Sequence, residues 1–235
     1  MCGVFGFSVG MSSREFADRL GIDNLPRTWK DFQSYKITPR SVVNTVSQNS
    51  PNQLVPRIWW LAPPWANDPY KIKFPTFNAR VEDLANKPAF RHAWHASQRC
   101  LIPATFFVEW ETQTRVGESK PLKLPYLIER HDHQLFCFAG LYEIWQRDAE
   151  CKTVESCTII TVPAGNMLSR IHTREPVILA PDDEKTWLSK STSLSHAYAL
   201  LKPLSENQKS MHQINARFNS TKALDITPNF LTPSD

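Results

Sequence analysis

Along the first nine residues small or polar side chains alternate with apolar ones, Gly3-Val4-Phe5-Gly6-Phe7-Ser8-Val9, the period of a half-buried strand. A strand there holds the first residues in a sheet instead of leaving them frayed. The period then changes. Ser12 or Ser13 is placed to cap an amphipathic helix through Arg14-Glu15-Phe16-Ala17-Asp18-Arg19-Leu20, with Gly21 as its stop. Strand patterns return over residues 35–46, broken at Pro39, and over 54–61, which run into the turn Ala62-Pro63-Pro64-Trp65. Trp59, Trp60 and Trp65 there serve either as core or as an aromatic platform on which nucleobases stack.

Further on, Asn78 and Arg80 stand two apart in an extended segment and so project from one face of a strand, where they can serve one pocket. A polar helical stretch interrupted at Lys87-Pro88 follows, and then residues 99–110 form a long apolar, β-prone run. More strands are predicted over 126–129, 135–145 and 157–162, separated by polar turns around Gly117 and Arg147-Asp148. A short helix over 164–170 leads to a strand over 177–180. Pro181-Asp182-Asp183-Glu184 opens another helix, with proline and acids in its first turn. Residues 193–201 extend or follow it, and a last strand is predicted near 211–218. The whole reads as an α+β fold, a mostly antiparallel sheet curled into a barrel-like core with a few peripheral helices. No Gly/Ser linker, charge block or repeat divides it, so residues 1–235 are expected to form a single domain with a loosely held tail from about 221.

Composition sharpens this only in places. Eighteen prolines against seven glycines imply many rigid turns and modest helix content. The formal charge of +4 permits a polyanionic partner without requiring one. No signal-peptide pattern and no stretch of about 18 apolar residues occurs, so a soluble cytoplasmic protein is expected, away from membranes. Five cysteines without framework spacing suit reduced thiols. His92-x-x-His95 and His131-x-His133 lack thiolate partners at zinc spacing and read as surface histidines, so neither a metal nor a cofactor is expected.

The candidate chemistry begins at Cys2. Once Met1 is removed, this residue offers a thiol and an α-amine on adjacent carbons, two groups that titrate near ~8.5 and ~7.7–8.0. Glu109 lies among Phe106, Phe107, Val108 and Trp110, where a carboxylate either turns to solvent or sits in an apolar site with a raised pKa, as a general acid or base requires. Together with Cys2-Gly3, Trp60-x-x-x-Pro64, Asn78-Ala79-Arg80-x-Glu82, Lys87-Pro88-x-Phe90-Arg91, Arg99-Cys100-x-x-Pro103, Glu109-Trp110, His172-x-Arg174-x-Pro176 and Phe218-Asn219, this pattern resembles the SRAP family, the SOS-response-associated peptidases.

That resemblance implies a monomeric enzyme that binds single-stranded DNA and traps abasic sites as a thiazolidine on Cys2, after autocatalytic removal of Met1. It further implies hydrolase or lyase-type chemistry. By position, Glu109 is expected to shuttle protons and His172 to donate to the sugar oxygen, while Asn78 orients the nucleophile. Arg80, Arg174, Arg91, Lys87 and Trp65 are expected to engage DNA. The chain departs from the family pattern at Val4, Lys36, Leu61 and Glu175, the last expected to set a negative charge near the DNA groove. The first residues also look like the start of class-II glutamine amidotransferases, but no Asn-Gly dipeptide is present for their oxyanion element. A non-catalytic module binding single-stranded DNA is the other reading.

Overall fold

In the computed structural model, which describes residues 2–8, 10–23, 32–114, 121–148, 153–222 and 225–234, strand β1 (Val4–Phe7) begins just after Cys2. Met1, Val9, the turn at Gly117 and Cys151 lie outside the described residues. Helix α1 (Ser13–Leu20) forms where the pattern places it. Ser12 accepts from the Glu15 amide while the Glu15 carboxylate receives the Ser12 amide, and Gly21 ends the helix at φ 65°, a conformation open to glycine. Next come β2 (Ser34–Ile37), β3 (Val42–Ser47), β4 (Ser50–Trp59) and β5 (Asn78–Arg80), then the short helix α2 (Arg91–His95). The run 99–110 forms two strands, β6 (Arg99–Ala104) and β7 (Phe106–Gln113), followed by β8 (Leu122–Arg130), β9 (Phe136–Trp145) and β10 (Val154–Pro163). Helix α3 (Asn166–Ser169), strands β11 (Arg174–Pro176) and β12 (Ile178–Leu179), helices α4 (Pro181–Leu188) and α5 (Leu194–Ala199), and β13 (Lys209–Gln213) complete the order.

Five of these strands close into a barrel: β10 pairs β4, β4 pairs β3, β3 pairs β6, β6 pairs β9, and β9 returns to β10. Only the β10–β4 step is parallel. Further along β10, past the end of β4, β5 takes over in parallel at Ile159↔Asn78 and β11 joins antiparallel at Thr161↔Pro176. A second, antiparallel sheet runs β13-β8-β7-β1-β2. The two sheets are joined at Thr105, between β6 and β7. Its amide donates to Gly6 O at 2.9 Å and its hydroxyl accepts from the Ser8 amide at 3.0 Å, so the chain turns from the barrel onto β1. An unbroken apolar run does not reveal that bend, because β6 and the first four residues of β7 are buried on both faces.

Between the two sheets lies a core of Phe5, Trp59, Ile102, Phe107, Phe138, Tyr142 and Ile159, which also takes in Cys2. A second core, under the helices, gathers Phe7, Phe16, Phe90, Trp94 and Trp187. Buried Arg99 ties α4 to β6 by donating to Trp187 O and Ser189 O, both at 2.7 Å. On the outer face of the second sheet, Val4, Phe106, Val108 and Phe218 pack with Ile226. The described part of the tail is therefore docked rather than loose: Ile214 bridges to Pro233, and the Ser234 amide donates to Gln213 O at 3.0 Å. The last predicted strand is also shorter than expected, because Asn215 caps a 3₁₀ turn over Ala216–Asn219.

Gly6 faces Phe106 so closely that a Cβ there would lie 2.0 Å from the ring. Gly6→Ala must therefore displace the buried Phe106 ring or push β1 off β7, and overpacking of this kind destabilises by roughly 1–3 kcal/mol. Urea denaturation reads the loss. A loss no larger than that of an ordinary surface substitution would mean the sheet yields freely there.

Candidate active site

Strand β1 carries the chain's start into the interior, and Cys2 has no exposed surface. The packing around it explains why. Phe5 meets Trp59 edge-on at 5.0 Å, and the Trp59 indole N–H donates to Phe77 O at 2.7 Å, which fixes the entry to β5. One residue on, Asn78 donates through Nδ2 to Cys2 O at 2.7 Å. Its Oδ1 is buried and has no hydrogen-bond partner among the described residues, leaving an acceptor beside Cys2.

Glu109 reaches the same place from β7. Phe5 pairs with Phe107 and Val4 with Val108, so the register carries Glu109 toward the residues before Val4. Only 2% of it is exposed. Burial pushes its pKa up from 4.5 to about 7, partly offset by the positive charge of the amino terminus. Of the two readings that its neighbours allowed, the apolar one holds. Desolvation also raises the Cys2 thiol well above its ordinary range, and the nearby Glu109 charge adds to that rise.

His172 sits half-buried in the loop between α3 and β11. Desolvation, with the amino-terminal charge second, lowers its pKa. Nδ1 lies 3.0 Å from the Arg174 amide and 3.1 Å from the Arg174 carbonyl. The neutral ring accepts from the first and carries its proton on Nε2; the cation donates to the second. Both protonation states are provided for.

The structure thus brings Cys2, Asn78 and Glu109 together, and the amino-terminal charge acts on both Glu109 and His172. The expected DNA contacts are arranged differently. Arg80 shares β5 with Asn78 but is exposed, so only Asn78 reaches Cys2. Arg174 is bound bidentately by Glu82, at 2.6 and 2.9 Å, and also donates to Thr161 O at 2.6 Å. Lys87 and Arg91 are exposed, Lys87 pairing with Asp83 at 3.3 Å. Trp65 is 53% exposed, donates to Pro88 O at 3.0 Å and stacks on Phe74 at 6.1 Å, whereas Trp59 is core.

Sequence reasoning missed Arg40. In the left-handed region at φ 75°, it lays its guanidinium over Trp60 at 4.1 Å and donates to Tyr70 O at 3.1 Å, bracing the tryptophan turn. Only the adjacent Pro39 hinted at a special turn. Glu175, expected beside the DNA groove, is instead buried against Lys209 at 2.9 Å, because its strand edge faces β13 and not solvent. A cavity of about 600 Å³ lined by Ser8, Arg19, Arg130 and His133 opens past the other end of β1, and its two guanidiniums are committed to Glu184 and Asp132.

A barrel-centred α+β fold buries Cys2 beside a carboxylate whose pKa burial raises toward neutrality. The family model for SOS response associated peptidase (SRAP) matches residues 1–221, and the chain belongs to this family. It is 37% identical to the abasic site processing protein YoaM of Bacillus subtilis over 224 residues, 94% of each chain. To the abasic site processing protein YoqW of the same organism it is 34% identical, over 94% of this chain and 96% of that one. Identity to the abasic site processing protein HMCES of Gallus gallus is 27%, covering 99% of this chain and 78% of that protein. A crystal structure of a protein from Bacteroides thetaiotaomicron shares the fold with a TM-score of 0.81 at 24% identity, covering 98% of this chain and 99% of that one.

Because the Glu109 pKa is raised on folding, the neutral acid is the form the fold favours. Its stabilising contribution is full below about 4.5 and is lost as pH rises through about 7. Between those limits wild-type stability should fall relative to Glu109→Gln by on the order of 3 kcal/mol. Chemical denaturation across that range measures it, and parallel pH profiles for the two proteins would place Glu109 in water.

Proposed function

We propose that this chain is an abasic site processing protein that engages single-stranded DNA and captures the opened abasic sugar covalently on Cys2. The observation that carries the reading is Glu109, buried and titrating near neutrality against Cys2, whose carbonyl Asn78 holds. The names of the relatives support the substrate.

In this reading hydrolysis of the Met1–Cys2 peptide bond frees the α-amine. The amine adds to the aldehyde carbon of the opened deoxyribose, and loss of one water gives an imine. Glu109 suits the proton traffic, being partly ionised at neutral pH: as a carboxylate it takes a proton from the attacking nitrogen, and as an acid it delivers one to the departing hydroxyl. The thiol stays neutral in its apolar surroundings until the imine forms. Sulfur then bonds the former aldehyde carbon, the thiol proton goes to nitrogen, and a five-membered thiazolidine closes. The Asn78 Oδ1 acceptor orients the amine. His172 protonates the ring oxygen as the sugar opens, through Nε2, since the Arg174 contacts engage Nδ1.

Exposed Arg80, Arg91 and Lys87 supply phosphate contacts, and Trp65 offers a stacking face. Arg174 joins them only by exchanging Glu82 for a phosphate. The reading further includes peptidase action limited to Met1, lyase-type reversal of the crosslink, monomeric action and a cytoplasmic setting. Among the described residues no helix is long and apolar enough to cross a membrane.

Intact mass before and after incubation with a single-stranded oligonucleotide carrying one abasic site tests this. Loss of Met1 and a heat-stable adduct equal to the oligonucleotide less one water are expected. Cys2→Ala should form none, and Glu109→Gln should form it on the order of a hundredfold more slowly. Equal protection of the abasic strand by Cys2→Ala would favour the non-catalytic binding module, and glutaminase activity would favour the amidotransferase.

A further inference from the structure

The loop that carries His172 is anchored by charges that the chemistry above does not use. Residues 164–173 leave β10 and return as β11, closed at the neck by the Ala164 amide donating to Thr173 O at 3.1 Å. At the loop's start, the Gly165 amide donates to Glu175 Oε2 at 3.0 Å and the Met167 amide to Glu206 Oε2 at 3.0 Å. Lys209 Nζ binds both Glu175 oxygens, at 2.9 and 3.0 Å, and approaches Glu206 Oε1 at 3.4 Å. One ammonium thus holds two carboxylates, and each carboxylate holds one loop amide.

Gly165 is part of the same device. A Cβ there would lie 2.4 Å from Glu206 Oε1 and 3.3 Å from Lys209 Nζ, so any larger residue displaces the Glu206 carboxylate from its present place. From this anchor the chain makes one helical turn. The Ile171 and His172 amides both donate to Leu168 O at 2.9 Å, and Leu168 is fully buried in the core that contains Cys2. Any shift of the Gly165–Met167 backbone is therefore transmitted to His172 through a rigid turn of few residues.

Stability alone does not account for the cluster. The Lys209 and Glu175 side chains are each only 3% exposed, and buried ion pairs contribute little net stability against well-packed apolar residues of similar size. What an apolar pair cannot do is accept the two loop amides. We infer that Glu175, Lys209, Glu206 and Gly165 are positioning residues that set the placement of His172 relative to Cys2. This rests on the proposed role of His172 as the acid of ring opening.

The test uses the whole protein and two independent readouts. Variants are Glu175→Met/Lys209→Met, which removes both buried charges at similar volume, Gly165→Ala, and Glu206→Gln. The last side chain is 42% exposed, so the variant keeps the test open should the others fail to fold. The first readout is the titration of the His172 ring by NMR in DNA-free protein. The second is the pH profile of single-turnover adduct formation with the abasic oligonucleotide, at saturating and sub-saturating DNA. A displaced His172 midpoint is expected, with a saturating rate lowered on the order of tenfold to a hundredfold and an unchanged half-saturating concentration. Folded variants with a wild-type His172 midpoint and wild-type rate would overturn the inference. Should wild type form no adduct, the functional reading falls, while the NMR titration still decides whether the cluster positions His172.

Discussion

The pairing of β1 between β2 and β7 is the constraint on which the rest of the site depends. A chain terminus ordinarily frays, since few contacts offset its conformational entropy. Here Phe5 is fixed edge-on to Trp59 and to Phe138, Gly6 lies under the Phe106 ring, and Thr105 closes hydrogen bonds onto the end of the strand. With four residues held so firmly, Cys2 has almost no freedom left, and one bond from Asn78 to its carbonyl removes what remains. The barrel supplies that asparagine through β5, which exists as a strand because β10 runs past the end of β4 and leaves an edge to be paired.

Burial of this kind has one electrostatic consequence that takes two signs across three groups. Removing water disfavours the charged form of each group, so Glu109 and the Cys2 thiol rise while His172 falls. The interior is thereby biased toward a neutral acid, a neutral thiol and a neutral imidazole. For condensation of an amine with an aldehyde this is a useful starting state. Protons must move at each step, and Glu109, whose pKa is raised to about 7, moves them at small free-energy cost. In the proposed reaction a thiolate at the outset would compete with the amine for the aldehyde, whereas a neutral thiol waits for the imine.

Much of this was legible in the sequence, and the gaps have physical reasons. Local patterns carried the capping box at Ser12 and Glu15, the break at Pro39 and the alternation of β1, because each is decided within a few residues. The α+β barrel followed from strands rich in apolar residues with few helices. Glu109 was ambiguous since Phe106, Phe107 and Val108 are apolar on both faces, and alternation then has no outside to point to. The bend at Thr105 was hidden for the same reason. Glu175 was misplaced because its partner Lys209 is 34 residues away and on another strand, a pairing that no local spacing encodes. The docked tail depended on an apolar face, formed by Val4, Phe106 and Val108, that exists only after the second sheet has assembled.

The departures from the family pattern become coherent in this light. Lys36 does not project into a groove; its ammonium donates to Phe218 O at 2.7 Å and Thr221 O at 2.8 Å and lies over the Phe218 ring at 4.8 Å, tying the C-terminal segment to β2. Leu61 is wholly core, and Val4 packs on the outer face of the second sheet. Glu175 is sealed by Lys209. None of the four adds an exposed charge beside Cys2, so they alter how the site is supported more than what it presents. Among the charged residues of the family pattern, Arg80 and Glu82 are exposed, and Glu82 occupies the guanidinium edge of Arg174. In the proposed reading, a phosphate has to outcompete a bidentate carboxylate before Arg174 contributes, while exposed Arg80 needs no such exchange. The two arginines thus differ in what already holds them: Arg80 stands exposed at the end of β5, and Arg174 is clamped between Glu82 and Thr161 O.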